Sequence, residues 1–229
     1  MLTDPPKLTV KRGWSRATCE ALRALSGLQT GHATDAQDGR GAIASAIKPL
    51  VPLAGAVIGT ALPCETGPND NLAVLAALAL AQPGDVVIVA GEAFSGSAVV
   101  GDNVMMVAKA KGLAGLVVDG MARDLDGLEA VGLALFGRGI TPNSCVRSGP
   151  GRVGLPVICG GVRVEAGDAV VADRDGVVII PQAQLADVLA RLEVILEAEQ
   201  ATQARLADGW HDLGGVKALL QSDETRYVD

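Results

Sequence analysis

The chain has 229 residues, of which 49% are hydrophobic, 20% charged and 2% aromatic, and its formal net charge is −7. That length and apolar content can bury a sizeable core, which excludes intrinsic disorder and a small disulfide scaffold. The acidic balance and two Trp, one Tyr and two Phe argue against nucleic acid, which needs clustered Lys and Arg and aromatic stacking platforms.

The opening residues lack the basic and then apolar pattern of a secretory signal. Helical spacing of apolar and charged positions predicts a helix over 15–28, and a break follows at 35–41. Residues 56–61 read as a buried strand and 64–71 as turn-rich. The Ala/Leu run over 72–81 is a buried helix stopped by Pro83-Gly84. Neither 50–62 nor 72–81 reaches the roughly 18 apolar residues of a membrane span. The four cysteines are scattered, with no CxxC pair, so a reduced, cytoplasmic protein is expected.

Residues 85–90, rich in β-branched side chains, form a strand. A glycine-rich connection over 91–101, a helix over about 102–111 and a strand over 116–118 complete a βαβ unit, whose strands pair in parallel. The loops after both strands then open at one sheet edge. Short strands follow at 161–164, 169–172 and 176–180, separated by Gly167-Asp168 and Asp175-Gly176, dipeptides that favour hairpin turns. Pro181 opens a long helix to about Ala207. The expected architecture is one mixed-sheet α/β domain over 1–229, with a core at about 30–180 and a C-terminal helical arm at about 181–229. The 29 glycines, against a typical share of about 7%, imply many tight turns or close backbone approaches.

Gly101-Asp102-Asn103 lies at a helix start, where unpaired N–H groups and the helix dipole favour an anion. Arg123-Asp124 follows the second strand. A guanidinium, two carboxylates and a helix N-terminus at one edge suit a compact oxo acid, and one carboxylate suffices to help hold Mg²⁺, which keeps several waters. The same residues read equally as an N-cap at Asp102 and a surface ion pair between Arg123 and Asp124.

Asp102, twenty intervening residues, then Arg123-Asp124 resembles the D-X20-R-D signature of the metal-dependent pyruvate aldolases in the family of the regulator of ribonuclease activity A. Ile47-Lys48-Pro49-Leu50, Pro83-Gly84-Asp85-Val86, Gly160-Gly161-Val162 and Asp175-Gly176-Val177-Val178 are similar to further landmarks of that family, in the same order. The resemblance spans roughly 30–200. It implies a fold like the swivelling phosphohistidine β/β/α domain and assembly as a homotrimer or homohexamer. It also implies Mg²⁺ or Mn²⁺ on the aspartate matching Asp124, and pyruvyl binding and enolate stabilisation by the arginine matching Arg123. Substrate contacts fall on Gly101, Asp102, Asn103 and Val104, with Asp102 activating a water for proton transfer. The non-enzymatic regulators of the family have glycine where this chain has Asp102.

The implied reaction is retro-aldol cleavage of 4-hydroxy-4-methyl-2-oxoglutarate to two pyruvates, or of 4-carboxy-4-hydroxy-2-oxoadipate to pyruvate and oxaloacetate. Oxaloacetate decarboxylation accompanies it as a side activity. The alternative is a non-enzymatic, protein-binding regulator of a ribonuclease. Neither reading involves nucleic-acid or membrane contact by this chain. On the long helix, Glu199 falls on the apolar stripe of Leu192, Ile195, Leu196 and Leu206. The resemblance explains it as an acidic residue that reaches the metal's water shell from a neighbouring subunit; a glutamate on a packing helix is the plain reading. Arg16, Arg23, Arg40 and Arg147 are equal candidates for a distal substrate carboxylate. His32 and Lys48 read as structural, and Cys64 and Cys145 lack a visible histidine partner.

Overall fold

In the computed structural model, which describes residues 4–228, the chain divides into two compact units, Met1–Leu192 and Glu193–Asp229. In chain order the first unit carries β1 (Leu8–Val10), α1 (Cys19–Ala24), α2 (Thr30–Asp35), β2 (Lys48–Pro49), β3 (Val57–Thr66), α3 (Leu72–Leu80), β4 (Asp85–Val100), α4 (Asp102–Ala110), β5 (Gly115–Ala122) and α5 (Leu125–Val131). It continues with β6 (Ala134–Gly137), β7 (Gly139–Ile140), β8 (Gly151–Val153), β9 (Val157–Cys159), β10 (Val162–Val164), β11 (Ala169–Ala172) and β12 (Val177–Ile180). The helix α6 (Leu185–Ala207) contains the division between the units, and α7 (Val216–Leu220) lies in the second.

The ten-stranded sheet of the described residues is mixed, with β3, β4, β5 and β6 side by side in parallel. These strands are buried on both faces, so each alternate side chain enters a different core. Val87, Val89, Leu116 and Val118 pack with α3, α4 and α5, whereas Val86, Ile88 and Val117 pack against β11, β12 and the β9–β10 pair. Burial on both sides explains the near-continuous β-branched run that marks β4 in the sequence. Among the described residues, no helix is long and apolar enough to cross a membrane.

The helix expected over 15–28 contracts to α1. Thr18 caps it by accepting from the Ala21 N–H at 3.2 Å, and Arg16, upstream, is drawn away to the buried Asp85 through two hydrogen bonds of 3.2 and 2.8 Å. The turn-rich reading of 64–71 is corrected at its start, since β3 continues through Thr66. The connection read over 91–101 is strand for most of its length. β4 runs on to Val100 by slipping register against β5 three times, with Glu92 and Ala93 at positive φ. Asp175-Gly176 does turn a hairpin, between β11 and β12. Gly167-Asp168 does not: β10 pairs with β9, and the Asp168 carboxylate accepts from the N–H groups of Glu165 and Gln182, steering the chain into the larger sheet instead.

Candidate functional site

The parallel order β4–β5 places the ends of both strands at one sheet edge, as the βαβ reading required. β4 ends at Val100 and Gly101 caps α4, with Asp102 as that helix's first residue rather than its N-cap. β5 ends at Ala122, and the Arg123 N–H donates to the Val100 carbonyl at 3.0 Å, stitching the two loops together. The approach at Gly101 is close: a β-carbon there would lie 2.5 Å from Asp124 Oδ2 and 3.3 Å from Arg123 Cγ. Gly127 on α5 is equally tight against Asp102, with 2.8 Å to its Cβ. Two glycines thus allow the carboxylates and the guanidinium to converge.

Gly101, Asp102, Asn103, Val104, Arg123 and Asp124 line one cavity of about 150 Å³. Arg123 Nε lies 3.3 Å from Asp124 Oδ2, and its other end donates to Ser144 Oγ. The ion pair expected from the bland reading is therefore present. Both side chains are more than a third exposed, at 38% and 40%, so the pair holds Asp124 weakly. Asp124 has φ +64° and occupies the N-cap position of α5, yet its side chain makes no capping hydrogen bond. An aspartate at that position normally bonds the N–H groups of the first turn. Here the carboxylate is left available to another partner, with the backbone in a region few residues other than glycine adopt.

Asn71, Ser144, Cys145 and Arg147 line the same cavity. Asn71 and Ser144 were not marked by the sequence, because neither sits in a motif and both come from loops far from residues 101–124. Asn71 is 6% exposed; its Nδ2 donates to the Val99 carbonyl at 3.2 Å, and its Oδ1 has no hydrogen-bond partner. Burial pushes the Cys145 thiol above its usual range, against the opposing charges of Arg123 and Arg147, so this sulfur is not poised as a thiolate. Of the four arginines considered for a distal carboxylate, Arg147 lines this cavity. Arg16 is engaged by Asp85, Arg23 is exposed on α1, and Arg40 lines a different cavity beside Arg163 and Arg191.

Glu199 lies in the second unit, half-buried on α6, and accepts from Gln203 Nε2 at 3.1 Å. His32 closes a capping box at the start of α2, and Lys48 donates to the Asp175 carbonyl. No cluster of three or more His, Cys, Asp or Glu side chains that could hold a metal by itself occurs among the described residues.

A family model described as RraA-like, Aldolase/RraA, matches residues 29–179. A Halalkalibacterium halodurans protein provisionally named 4-hydroxy-4-methyl-2-oxoglutarate aldolase is 35% identical over 207 residues, covering 90% of this chain and 97% of its own. A Thermus thermophilus protein named 4-hydroxy-4-methyl-2-oxoglutarate aldolase is 34% identical over 114 residues, 50% of this chain and 70% of its own. Among solved structures, the RNA-processing inhibitor RraA of Thermus thermophilus superposes with a TM-score of 0.61 at 30% identity, over 67% of this chain and 93% of that one.

Proposed function

The chain belongs to the RraA-like Aldolase/RraA family, and from that premise we propose that it is a divalent-metal-dependent aldolase that cleaves 4-hydroxy-2-oxo acids and releases pyruvate. One observation carries the reading: Asp102, Arg123 and Asp124 meet at a small polar cavity whose closeness depends on Gly101 and Gly127. The named aldolases among its relatives support lyase chemistry at the level of the family.

The donor set fits Mg²⁺ or Mn²⁺. Both take hard oxygen ligands, and Mg²⁺ is commonly held by one or two carboxylates while keeping several waters. Asp124 offers an uncapped carboxylate, and the orphaned Asn71 Oδ1 is an acceptor suited to a water of a hydrated cation. Asp124 would hold the ion, with Glu199 of a neighbouring subunit as the outer acidic group. When bound, the cation supplies Lewis acidity to the substrate's 2-oxo group.

The remaining chemistry falls to the chain. Arg123 holds the pyruvyl end and stabilises the negative charge that builds on the enolate oxygen, a role suited to a guanidinium fixed by Ser144. Gly101, Asn103 and Val104 present the start of α4 to the same end. Asp102 takes the C4 hydroxyl proton through a water as the C3–C4 bond breaks, and the enolate is then protonated at C3 to give pyruvate. Cleavage of 4-hydroxy-4-methyl-2-oxoglutarate gives two pyruvates; cleavage of 4-carboxy-4-hydroxy-2-oxoadipate gives pyruvate and oxaloacetate. Oxaloacetate decarboxylation produces the same enolate and accompanies either.

Self-association as a trimer or hexamer belongs to this reading. Met106 and Val107 expose apolar side chains on α4, 57% and 50% exposed, beside the site, where a second copy would cover them. A regulator that inhibits an RNA-processing enzyme is the competing reading, favoured by the likeness to the Thermus inhibitor. It leaves Asp102 without a task. Pyruvate release from either hydroxy-oxo acid, abolished by chelator and restored by Mg²⁺ or Mn²⁺, is the expected result. No metal-dependent turnover with these acids or with oxaloacetate overturns the enzyme reading.

A further inference from the structure

Ser144 supplies no atom to the reaction described above, yet the loop that bears it is tied down at several places. The Thr141 N–H donates to the Ala122 carbonyl at 2.9 Å, at the end of β5, and the Ala98 N–H donates to the Asn143 carbonyl at 3.0 Å, near the end of β4. The Asn143 side chain donates to the Gly96 carbonyl at 3.0 Å, and Ala98 pairs in parallel with Ser144 itself. Beyond it, the Val146 N–H donates to the Asn69 carbonyl at 2.8 Å. The backbone of an exposed serine is thereby fixed against both strands that end at the cavity. Among the described residues its hydroxyl has one hydrogen-bond partner, the Arg123 guanidinium.

Arg123 is held from two sides. Its Nε faces Asp124 Oδ2 at 3.3 Å, and its Nη1 donates to Ser144 Oγ. A guanidinium beside a carboxylate gains most by closing on it in a bidentate pair at about 2.8 Å. The observed pair is single and longer than that. Closure would join two charges that the proposed function needs apart, one for the enolate oxygen and one for the cation. The hydroxyl at the far end of the guanidinium opposes that closure.

We propose that Ser144 is a positioning residue that holds Arg123 toward the oxo acid and off Asp124. The proposal rests on the aldolase reading above, and the experiment separates the two. Wild type, Ser144→Ala, Ser144→Thr, Arg123→Ala and the double variant Ser144→Ala/Arg123→Ala are compared. Turnover of 4-hydroxy-4-methyl-2-oxoglutarate gives kcat and KM. Calorimetry with Mg²⁺ present measures binding of pyruvate and of oxalate, a planar dianion that resembles pyruvate enolate.

Loss of one hydrogen bond to a charged group at a partly exposed site is worth about tenfold. Ser144→Ala is expected to lower kcat by that factor with a smaller change in KM, because the charge that Arg123 meets is greatest on the enolate. Oxalate binding weakens by the same factor and pyruvate binding by less. Ser144→Thr keeps the hydroxyl and restores both kcat and oxalate affinity. In the Arg123→Ala background, Ser144→Ala costs no further oxalate affinity, since the serine acts through the guanidinium. Wild-type kcat and oxalate affinity in Ser144→Ala, no rescue by Ser144→Thr, or an equal loss with and without Arg123 overturns the assignment. These outcomes in variants of an active wild type strike the assignment alone. A wild type that neither cleaves the hydroxy acid nor binds oxalate with Mg²⁺ overturns the aldolase reading, and the assignment with it.

Discussion

Asp70 and Asp124 are both acidic residues beside a helix start, Asp124 lining the cavity and Asp70 buried next to its lining residue Asn71, and they are treated in opposite ways. The buried Asp70 carboxylate accepts from the N–H groups of Leu72, Ser148 and Gly149 and from Ser148 Oγ. Asp124 makes no capping bond, adopts a positive φ and keeps one loose ion pair. A carboxylate whose acceptor sites are filled is part of the frame; one without its ordinary capping bonds keeps the acceptor capacity that the proposed function assigns to a metal ion. Asp85, Asp119 and Asp168 fall with Asp70. Asp119, for instance, accepts from Arg138 and from the Gly160 N–H.

The sharpest way to break that contrast is to neutralise the open member. Asp124→Asn is the suitable change, since asparagine tolerates φ > 0 better than alanine. Turnover should fall by on the order of 10² to 10³, as it should in Arg123→Ala, with urea midpoints close to wild type. Near-normal kcat/KM in Asp124→Asn would place Asp124 in the frame alongside Asp70. Asp102→Asn, which retains the acceptor for the Asn103 N–H, should lower cleavage by about a hundredfold, the low end for general acid–base catalysis. It should spare oxaloacetate decarboxylation more than hydroxy-acid cleavage, because the former has no C4 hydroxyl proton to remove. Equal losses with the two substrates would deny Asp102 the proton-transfer role.

The same contrast explains what the sequence could and could not reveal. β4 and β5 were legible because buried β-branched residues alternate between two cores, and Asp102, Arg123 and Asp124 follow from where those strands end. The onward run of β4 was hidden by Gly91, Gly96 and the polar residues between them, which read as loop until the register slips and the positive φ of Glu92 and Ala93 are known. α5 went unseen because Gly127 weakens a short helix, although that glycine is what admits Asp102. Asn71 and Arg147 lie far apart in sequence and meet through Asp70, a long-range tie that no local pattern announces. Glu199 could be singled out by its place on an apolar stripe, but a stripe names no partner.

Neutralising the closed member should do the reverse of Asp124→Asn. Asp70→Asn turns an amide toward groups that donate, and the loss of hydrogen bonds to a charged acceptor costs about 1.5 to 3 kcal/mol. Chemical denaturation should register this directly. Activity should change less than in Asp124→Asn, and mainly through KM, because Asp70 holds the backbone of Ser148 and Gly149 next to Arg147 in the cavity wall. A variant as stable as wild type would mean that the 146–149 segment is held by other contacts.

The smallest effect is a matter of pH, and its sign follows from the same bonds. Burial pushes the Asp70 carboxyl up, but the N–H groups of Leu72, Ser148 and Gly149 outweigh it and hold the group below its ordinary 3.8; Asp173 is lowered in the same way by Thr30 and Asp175. For a depressed carboxyl, the stabilisation is complete above the unfolded value and is lost as pH falls through the folded one. Asp168 runs the other way, since its burial raises the group despite the N–H bonds from Glu165 and Gln182, and its protonation offsets part of the loss. Wild type should therefore lose stability from about pH 4 downward, and the gap between wild type and Asp70→Asn should narrow over the same window. A gap that persists unchanged at pH 2 would show that Asp70 acts through packing and not through its charge.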